Sequence, residues 1–348
     1  MTAALEWLTA AKTLWDPGLR SGVDRLDPHM RAIVGYHFGW LDPHGNPSDG
    51  SAGKGLRPGL ALLTAQALRG ETVIEGPRPE NPALPGAVAV ELVHNFSLVH
   101  DDLIDRDEAR HHRPTVWTVW DDTTAILSGD AMLSLAHEEL SLSGSPYALQ
   151  ASLALSAATR ELIRGQAEDV LFESRERVSV EECLAMVAGK TGSLLAVSAS
   201  VGAILAGAPA EAVAGAHTFG YELGLAFQIV DDLLGIWGST AETGKPVFAD
   251  LAAAKKTLPV VWSFDHGGDA GDQLREWFAG RTPRDAAEVS ELQYAADLIE
   301  KAGGRDWAAE QADGHVAAAV GALEPLALSD EGRATLIDLA HFVTRRKS

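Results

Sequence analysis

The chain has 348 residues, room for one to three domains, and much of its apolar share is Ala and Leu, which favours helix. A formal charge of −21 argues against nucleic acid and anionic membrane as partners. The single Cys183 excludes an intramolecular disulfide framework and fits a reducing, cytoplasmic setting, and residues 1–20 show no signal-peptide pattern.

In chain order, residues 5–40 read as amphipathic helix with an interruption around Asp16, Pro17 and Gly18. Residues 41–53 are loop by composition, and an Ala/Leu-rich helix follows to about Arg69. Residues 70–86 carry four prolines and read as a connection. From Ala87 to Val99 apolar residues dominate, which predicts a buried helix running into Asp101-Asp102-Leu103-Ile104-Asp105. Further helices are expected over about 124–142, 147–173, 181–206 (with a break at Gly189 to Gly192), 212–237 and 251–264, and again from about 284 to 343. The longest uncharged run, 191–210, could span a bilayer by length, but its Ala, Ser, Gly and Pro209 content predicts a buried core helix. No alternating strands and no long polar linker are visible, so one all-α domain over 1–348 is the reading.

Chemistry concentrates in two acidic segments at the ends of long apolar helices, HDDLID at 100–105 and VDDLLG at 230–235. On a helix Asp101 and Asp105 lie i, i+4 on one face, and two such carboxylates repel unless a cation sits between them. Oxygen-only sites of this kind suit Mg²⁺, which takes one or two carboxylates and leaves the rest to water and phosphate. Each pair taken alone also fits an exposed acidic helix end. Basic residues bracket the two pairs, several of them beside glycine: Lys54, Arg57, Arg110, Lys190, Lys245 and Lys255-Lys256. The combination points to a diphosphate held by metal on one side and by Lys and Arg on the other.

An ordered set of motifs resembles the trans-type polyprenyl diphosphate synthases, the family of farnesyl and geranylgeranyl diphosphate synthases. These are GKGLRP (53–58), ELVHNFSLVHDDLIDRD (91–107), RPT (113–115), SGDAML (128–133), GQAED (165–169), GKTGSL (189–194), FQIVDD (227–232), TGKPV (243–247) and ADLAAAKKTLP (249–259). The resemblance implies an all-helical, single-domain bundle around a deep central cavity (the isoprenoid synthase type I fold), with a motif-bearing core over about 36–260. It also implies a homodimer, three Mg²⁺ ions, and an allylic diphosphate and isopentenyl diphosphate as substrates. Carried over by position, Asp101 and Asp105 are ligands of two ions with Asp102 supporting, and Asp231 is the ligand of the third with Asp232 beside it. Arg110, Lys190 and Lys245 match groups that hold the allylic diphosphate. Lys54, Arg57 and His94 match the isopentenyl diphosphate pocket, with His111 where the family usually has a second Arg. Thr191 and Gln228 match polar groups near the reacting carbons, and Gln166 and Asp169 belong to the same wall. The tail Arg345-Arg346-Lys347 is a candidate closure over the second pocket. Phe96 and Ser97 stand where chain length is set, a single aromatic that implies mainly a C20 product with C15 next.

Three departures from the pattern stand out: Gly55 where many relatives carry Arg, His111 in place of Arg, and Gly235 in place of the last Asp of the second motif. Two other readings share these motifs. A class I terpene cyclase would need no isopentenyl diphosphate, and a non-catalytic subunit would need no intact site.

Overall fold

The computed structural model describes residues 2–48, 50, 53–239, 246–281 and 287–344, and about 74% of the chain is helical. Its residues cluster into two compact units. One comprises Met1–Ala157, Val197–His217 and Pro325–Leu339; the other comprises Ala158–Ala196, Thr218–Glu324 and Ala340–Ser348.

The first unit opens with α1 (Ala3–Val23), whose buried Ala4, Trp7, Leu8, Ala11, Trp15 and Leu19 recur at helical spacing. The expected interruption at Pro17 does not occur, because the helix carries Pro17 inside it and ends at Val23. An interior proline costs roughly 3 kcal/mol, and burial of Trp15 and Leu19 on either side offsets it. The break falls instead before α2 (Pro28–His37), where Asp27 caps the backbone of His29 and Met30 and Pro28 occupies the first turn. α3 (Leu56–Leu68) is buried over almost its whole length, as its run of Leu and Ala requires. α4 (Leu84–Ile104) packs along α6 (Asp122–Leu142). Between them β1 (Ala109–Arg110) and β2 (Arg113–Pro114) form a minimal antiparallel hairpin, followed by α5 (Val116–Val119). His111 and His112 form the hairpin's turn with φ of 50° and 61°, the left-handed pair that a two-residue turn demands.

α7 (Ala148–Ser174) precedes α8 (Val180–Val187), which starts on a Ser179/Glu182 capping box. The glycine break expected at 189–192 is a π-helical turn, Ala188–Gly192, and the helix continues as α9 (Ser193–Leu205). The stretch Val180–Leu205 is long and apolar enough to cross a membrane, yet 72% of its apolar window is buried inside the protein, as in a core helix. α10 (Ala210–Trp237) carries the second acidic pair. The helix expected over 251–264 is two, α11 (Ala249–Ala252) and α12 (Leu258–His266), separated where Ala254 takes a φ of 48° and Pro259 opens the second. α13 (Gly268–Phe278) was not legible from the sequence, while α14 (Val289–Ala302), α15 (Gly304–Leu323) and α16 (Asp330–Thr344) fill the helical C-terminal region. The core of the second unit gathers Cys183, Val187, Leu225, Ile229, Val230, Leu258 and Val261 around α10.

Candidate active site

In the first unit the last turn of α4 presents Asp101 and Asp105 half-buried, with Asp105 as the C-cap and its N–H bonded to Asp101 O at 2.8 Å. Asp102 points the other way and is 2% exposed. Burial pushes its carboxyl up to about 6, against the pull of Arg110, whose Nε donates to Asp102 Oδ1 at 2.7 Å. That ion pair ties the hairpin to the end of α4, so Asp102 positions Arg110. Arg106 closes the corner with a bidentate pair to Asp122 at 2.9 and 3.0 Å.

Of the residues expected in the isopentenyl diphosphate pocket, Arg57 Nη1 donates to His94 Nε2 at 3.1 Å, which places the His94 proton on Nδ1. Burial and the nearby Arg57 and Arg110 hold His94 neutral, well below the usual histidine range. Lys54 is exposed just before α3. His111 is exposed in the turn, and desolvation followed by Arg110 lowers its pKa, so it meets neutral pH uncharged. Behind His94 lies a network that sequence reasoning missed. Asn95 Nδ2 donates to Glu91 O and Oε1 at 2.8 and 3.2 Å, and Asn95 Oδ1 accepts from His37 Nε2 at 3.0 Å. Two polar residues at i, i+4 inside an apolar helix were its signal.

In the second unit the π-turn delivers two side chains. Lys190 Nζ donates to Asp169 Oδ2 at 2.7 Å, and Thr191 Oγ1 donates to Gln228 Oε1 at 2.7 Å. Gln228 Nε2 donates in turn to Asp232 Oδ1 at 2.9 Å, and Leu258 N donates to Asp232 Oδ2 at 3.1 Å. Asp232 is buried, which raises its carboxyl to about 7 despite those donors. The turn lies close against α7, because a Cβ on Gly165 would fall 2.2 Å from Lys190 N. Such π-turns concentrate at functional sites. Gln166 Nε2 on the same stretch of α7 is a buried donor with no hydrogen-bond partner among the described residues. Lys256 has a structural task instead, donating to Phe172 O at 2.8 Å at the end of α7. Lys245 and the tail Arg345-Arg346-Lys347 lie outside the described residues.

Both acidic pairs sit near the C-terminal ends of their helices, α4 and α10, and neither helix has a basic residue in its last turn. The helix dipole is negative there and opposes carboxylates by about 0.3–1 kcal/mol each. The donor set is oxygen only. Among the described residues no three His, Cys, Asp or Glu converge on one ion. One or two carboxylates per ion, completed by water and phosphate, is nevertheless the set that Mg²⁺ accepts, so these residues fit it.

A polyprenyl synthetase family model matches residues 46–296. The chain belongs to the polyprenyl synthetase family. It is 52% identical over 341 residues to a (2E,6E)-farnesyl diphosphate synthase of Mycobacterium tuberculosis, covering 98% of this chain and 93% of the relative. A geranylgeranyl diphosphate synthase of the same organism is 38% identical over the same shares. A crystal structure of a polyprenyl synthetase from Streptomyces coelicolor A3(2) superimposes with a TM-score of 0.89 at 48% identity, covering 96% of this chain and 97% of that one. The all-α architecture is therefore the isoprenoid synthase fold, as the motifs led us to expect.

Proposed function

We propose that this short-chain trans-prenyltransferase condenses an allylic diphosphate with isopentenyl diphosphate to a C20 or C15 product. The observation that carries the reading is the pair of acidic helix ends, each set where the helix dipole makes carboxylates unfavourable without a bound cation. Three Mg²⁺ ions fit the proposal, two at Asp101 and Asp105 and one at Asp231. When bound, they supply the positive charge that stabilises the departing diphosphate. The chain's own residues do the rest. Lys190, Arg110 and Lys245 bind the allylic diphosphate, and Lys54, Arg57, His94 and His111 bind isopentenyl diphosphate. Thr191 and Gln228 fix a polar edge beside the reacting carbons. Substrate binding on this reading exchanges the Lys190–Asp169 and Arg57–His94 contacts for contacts to phosphate. No protein nucleophile is required, and the proton lost after condensation passes to the released diphosphate.

The two named Mycobacterium relatives are both diphosphate synthases, which supports elongation over cyclisation. We place the protein in the cytoplasm, where the lone buried thiol of Cys183 stays reduced. A homodimer fits the apolar side chains that α6 and the start of α7 expose, among them Ile126, Leu127, Leu149 and Leu153. The test is incubation of purified protein with Mg²⁺ and geranyl or farnesyl diphosphate, with and without isopentenyl diphosphate. Elongation should require both Mg²⁺ and isopentenyl diphosphate, and Asp101→Ala should reduce it by several orders of magnitude. Undiminished turnover in EDTA would overturn the reading.

A further inference from the structure

The π-turn Ala188–Gly192 lies against two helices of the second unit. Its flanking residues Val187 and Ser193 have helical dihedrals, and none of Gly165, Gly189, Gly192 and Gly224 has a positive φ. These glycines therefore serve close approach and not an unusual backbone. A Cβ on Gly189 would fall 2.8 Å from Glu161 O and 2.9 Å from Arg164 Nη2, both on α7. A Cβ on Gly224 of α10 would fall 2.6 Å from Gly192 Cα.

Arg164 ties this turn to α7. Its Nε donates to Glu161 Oε2 at 2.9 Å and its Nη1 to Glu168 Oε2 at 2.6 Å, about one turn to either side along α7. The two carboxylates aim the planar guanidinium, and its Nη2 reaches across to Ala185 O at 3.2 Å, in α8 just before the turn. The same Nη2 stands over Gly189. At the far end Ser193 Oγ donates to Gly189 O at 2.6 Å, so the side chains that fasten the turn lie outside it. Register matters here. Successive helical residues stand about 100° apart, so drawing the extra residue of a π-turn into an α-helical ladder would swing Lys190 and Thr191 by roughly that angle. Lys190 meets Asp169 on α7 and Thr191 meets Gln228 on α10, and both contacts would be lost.

We propose that Arg164 is a positioning residue, which locks the π-turn in the register that presents Lys190 and Thr191. It acts through the backbone of the turn and not on the substrate. The inference rests on the functional reading above, in which Lys190 holds the allylic diphosphate and Thr191 and Gln228 stand beside the reacting carbons. As a surface ion pair alone Arg164, with 41% of its side chain exposed, would contribute little. The bond to Ala185 O and the close approach over Gly189 are what give it the larger role.

The test pairs hydrogen–deuterium exchange of the full chain with steady-state kinetics in Mg²⁺, run well below the unfolding midpoint set by circular dichroism. Arg164→Met keeps much of the bulk and removes the fork. Exchange should quicken in peptides covering residues 186–194. The Michaelis constant for the allylic diphosphate should rise about tenfold or more, while that for isopentenyl diphosphate stays within about twofold. Arg164→Lys keeps the charge without the fork and should retain the defect. If Arg164→Met does not fold, Arg164→Lys still decides. Wild-type exchange and constants in Arg164→Lys would overturn the inference and leave the functional reading standing. Equal rises in both Michaelis constants would do the same, since they report general loosening. Absence of elongation by the wild type would overturn the functional reading and this inference with it.

Discussion

Gly55 lies against the indole edge of Trp15: a Cβ on Gly55 would fall 2.5 Å from Trp15 Cζ2. The residue also has a left-handed φ of 63° as the N-cap of α3. Glycine at 55 is thus a packing solution: any side chain there meets Trp15. Gly55→Ala should cost about 1–3 kcal/mol in urea unfolding, combining backbone strain with the clash. In a Trp15→Leu background the steric part should disappear and the strain remain. An unchanged unfolding midpoint for Gly55→Ala would refute the account.

The hydrogen-bond chain Thr191–Gln228–Asp232–Leu258 gives a second prediction. Asp232 accepts from two donors, so Asp232→Asn sets an amide N–H₂ against one of them. That should cost about 1–3 kcal/mol of stability, the usual penalty for a buried unpaired group. It should also release Gln228, so kcat falls while the Michaelis constants change little. A double-mutant cycle with Gln228→Ala checks it: non-additive effects are expected. Simple additivity of the two losses would mean that Asp232 does not position Gln228.

Acid should act on stability through His37. Burial, moderated by the Asn95 hydrogen bond, lowers its pKa from 6.5 to about 4. Above pH 6.5 the ring is neutral in both states and contributes nothing. Between pH 6.5 and 4 the unfolded chain takes up a proton that the folded one refuses, so stability falls with pH. The full loss, reached below pH 4, is up to roughly 3 kcal/mol, less what residual solvent contact removes. Asp102 and Asp232 act in the opposite sense, because folding raises their pKa values and acidification then favours the folded state. The measurement is therefore a difference: urea unfolding of wild type and His37→Gln at pH 7.5, 6 and 5. The wild type should lose stability relative to the variant as pH falls. Parallel curves would remove His37 from the acid response.

Candidate residues were easier to read from the sequence than the path of the chain. Asp101, Asp105 and Asp231 stood out as candidates because carboxylates after an apolar helix are costly without a task. Helix ends were harder to read. Pro17 looked like a break, yet tertiary burial of Trp15 and Leu19 carried α1 through it. Gly189 and Gly192 likewise looked like a break in the helix, and the helix absorbed them as a π-turn, with α7 packed against its backbone at Gly165. Asp102 was expected in a supporting place beside the two candidate ligands, and its burial and its pairing with Arg110 set it apart from them. The return of residues 248–258 to α10 was invisible, since nothing local in the sequence announces it.

The last prediction, on product length, rests on which side of α4 would face a growing chain. The sequence expectation made Phe96 the floor and put C20 first, while the more similar of the two named Mycobacterium relatives is a farnesyl diphosphate synthase. Phe96 is 4% exposed and stands edge-on to His100, with ring centroids 5.5 Å apart. His100 Nε2 donates to Ile126 O on α6, so the Phe96–His100 pair belongs to the packing between α4 and α6. Ser97 and Leu98 share the half-buried side of α4 with His94 and Asp101, and Ser97 Oγ is bonded to His94 O at 2.7 Å. On the proposed function, a chain extending from Asp101 along this side would meet Ser97 before Phe96. Ser97→Phe should therefore shift the product towards C15 with little loss of stability. Phe96→Ala should lengthen the product at a cost of about 3–5 kcal/mol for the buried void, and Phe96→Leu should keep most of the stability and lengthen it less. Product analysis by reverse-phase chromatography after dephosphorylation gives the ratio of C15, C20 and longer alcohols. An active Ser97→Phe enzyme with the wild-type ratio would place the floor elsewhere than on this side of α4.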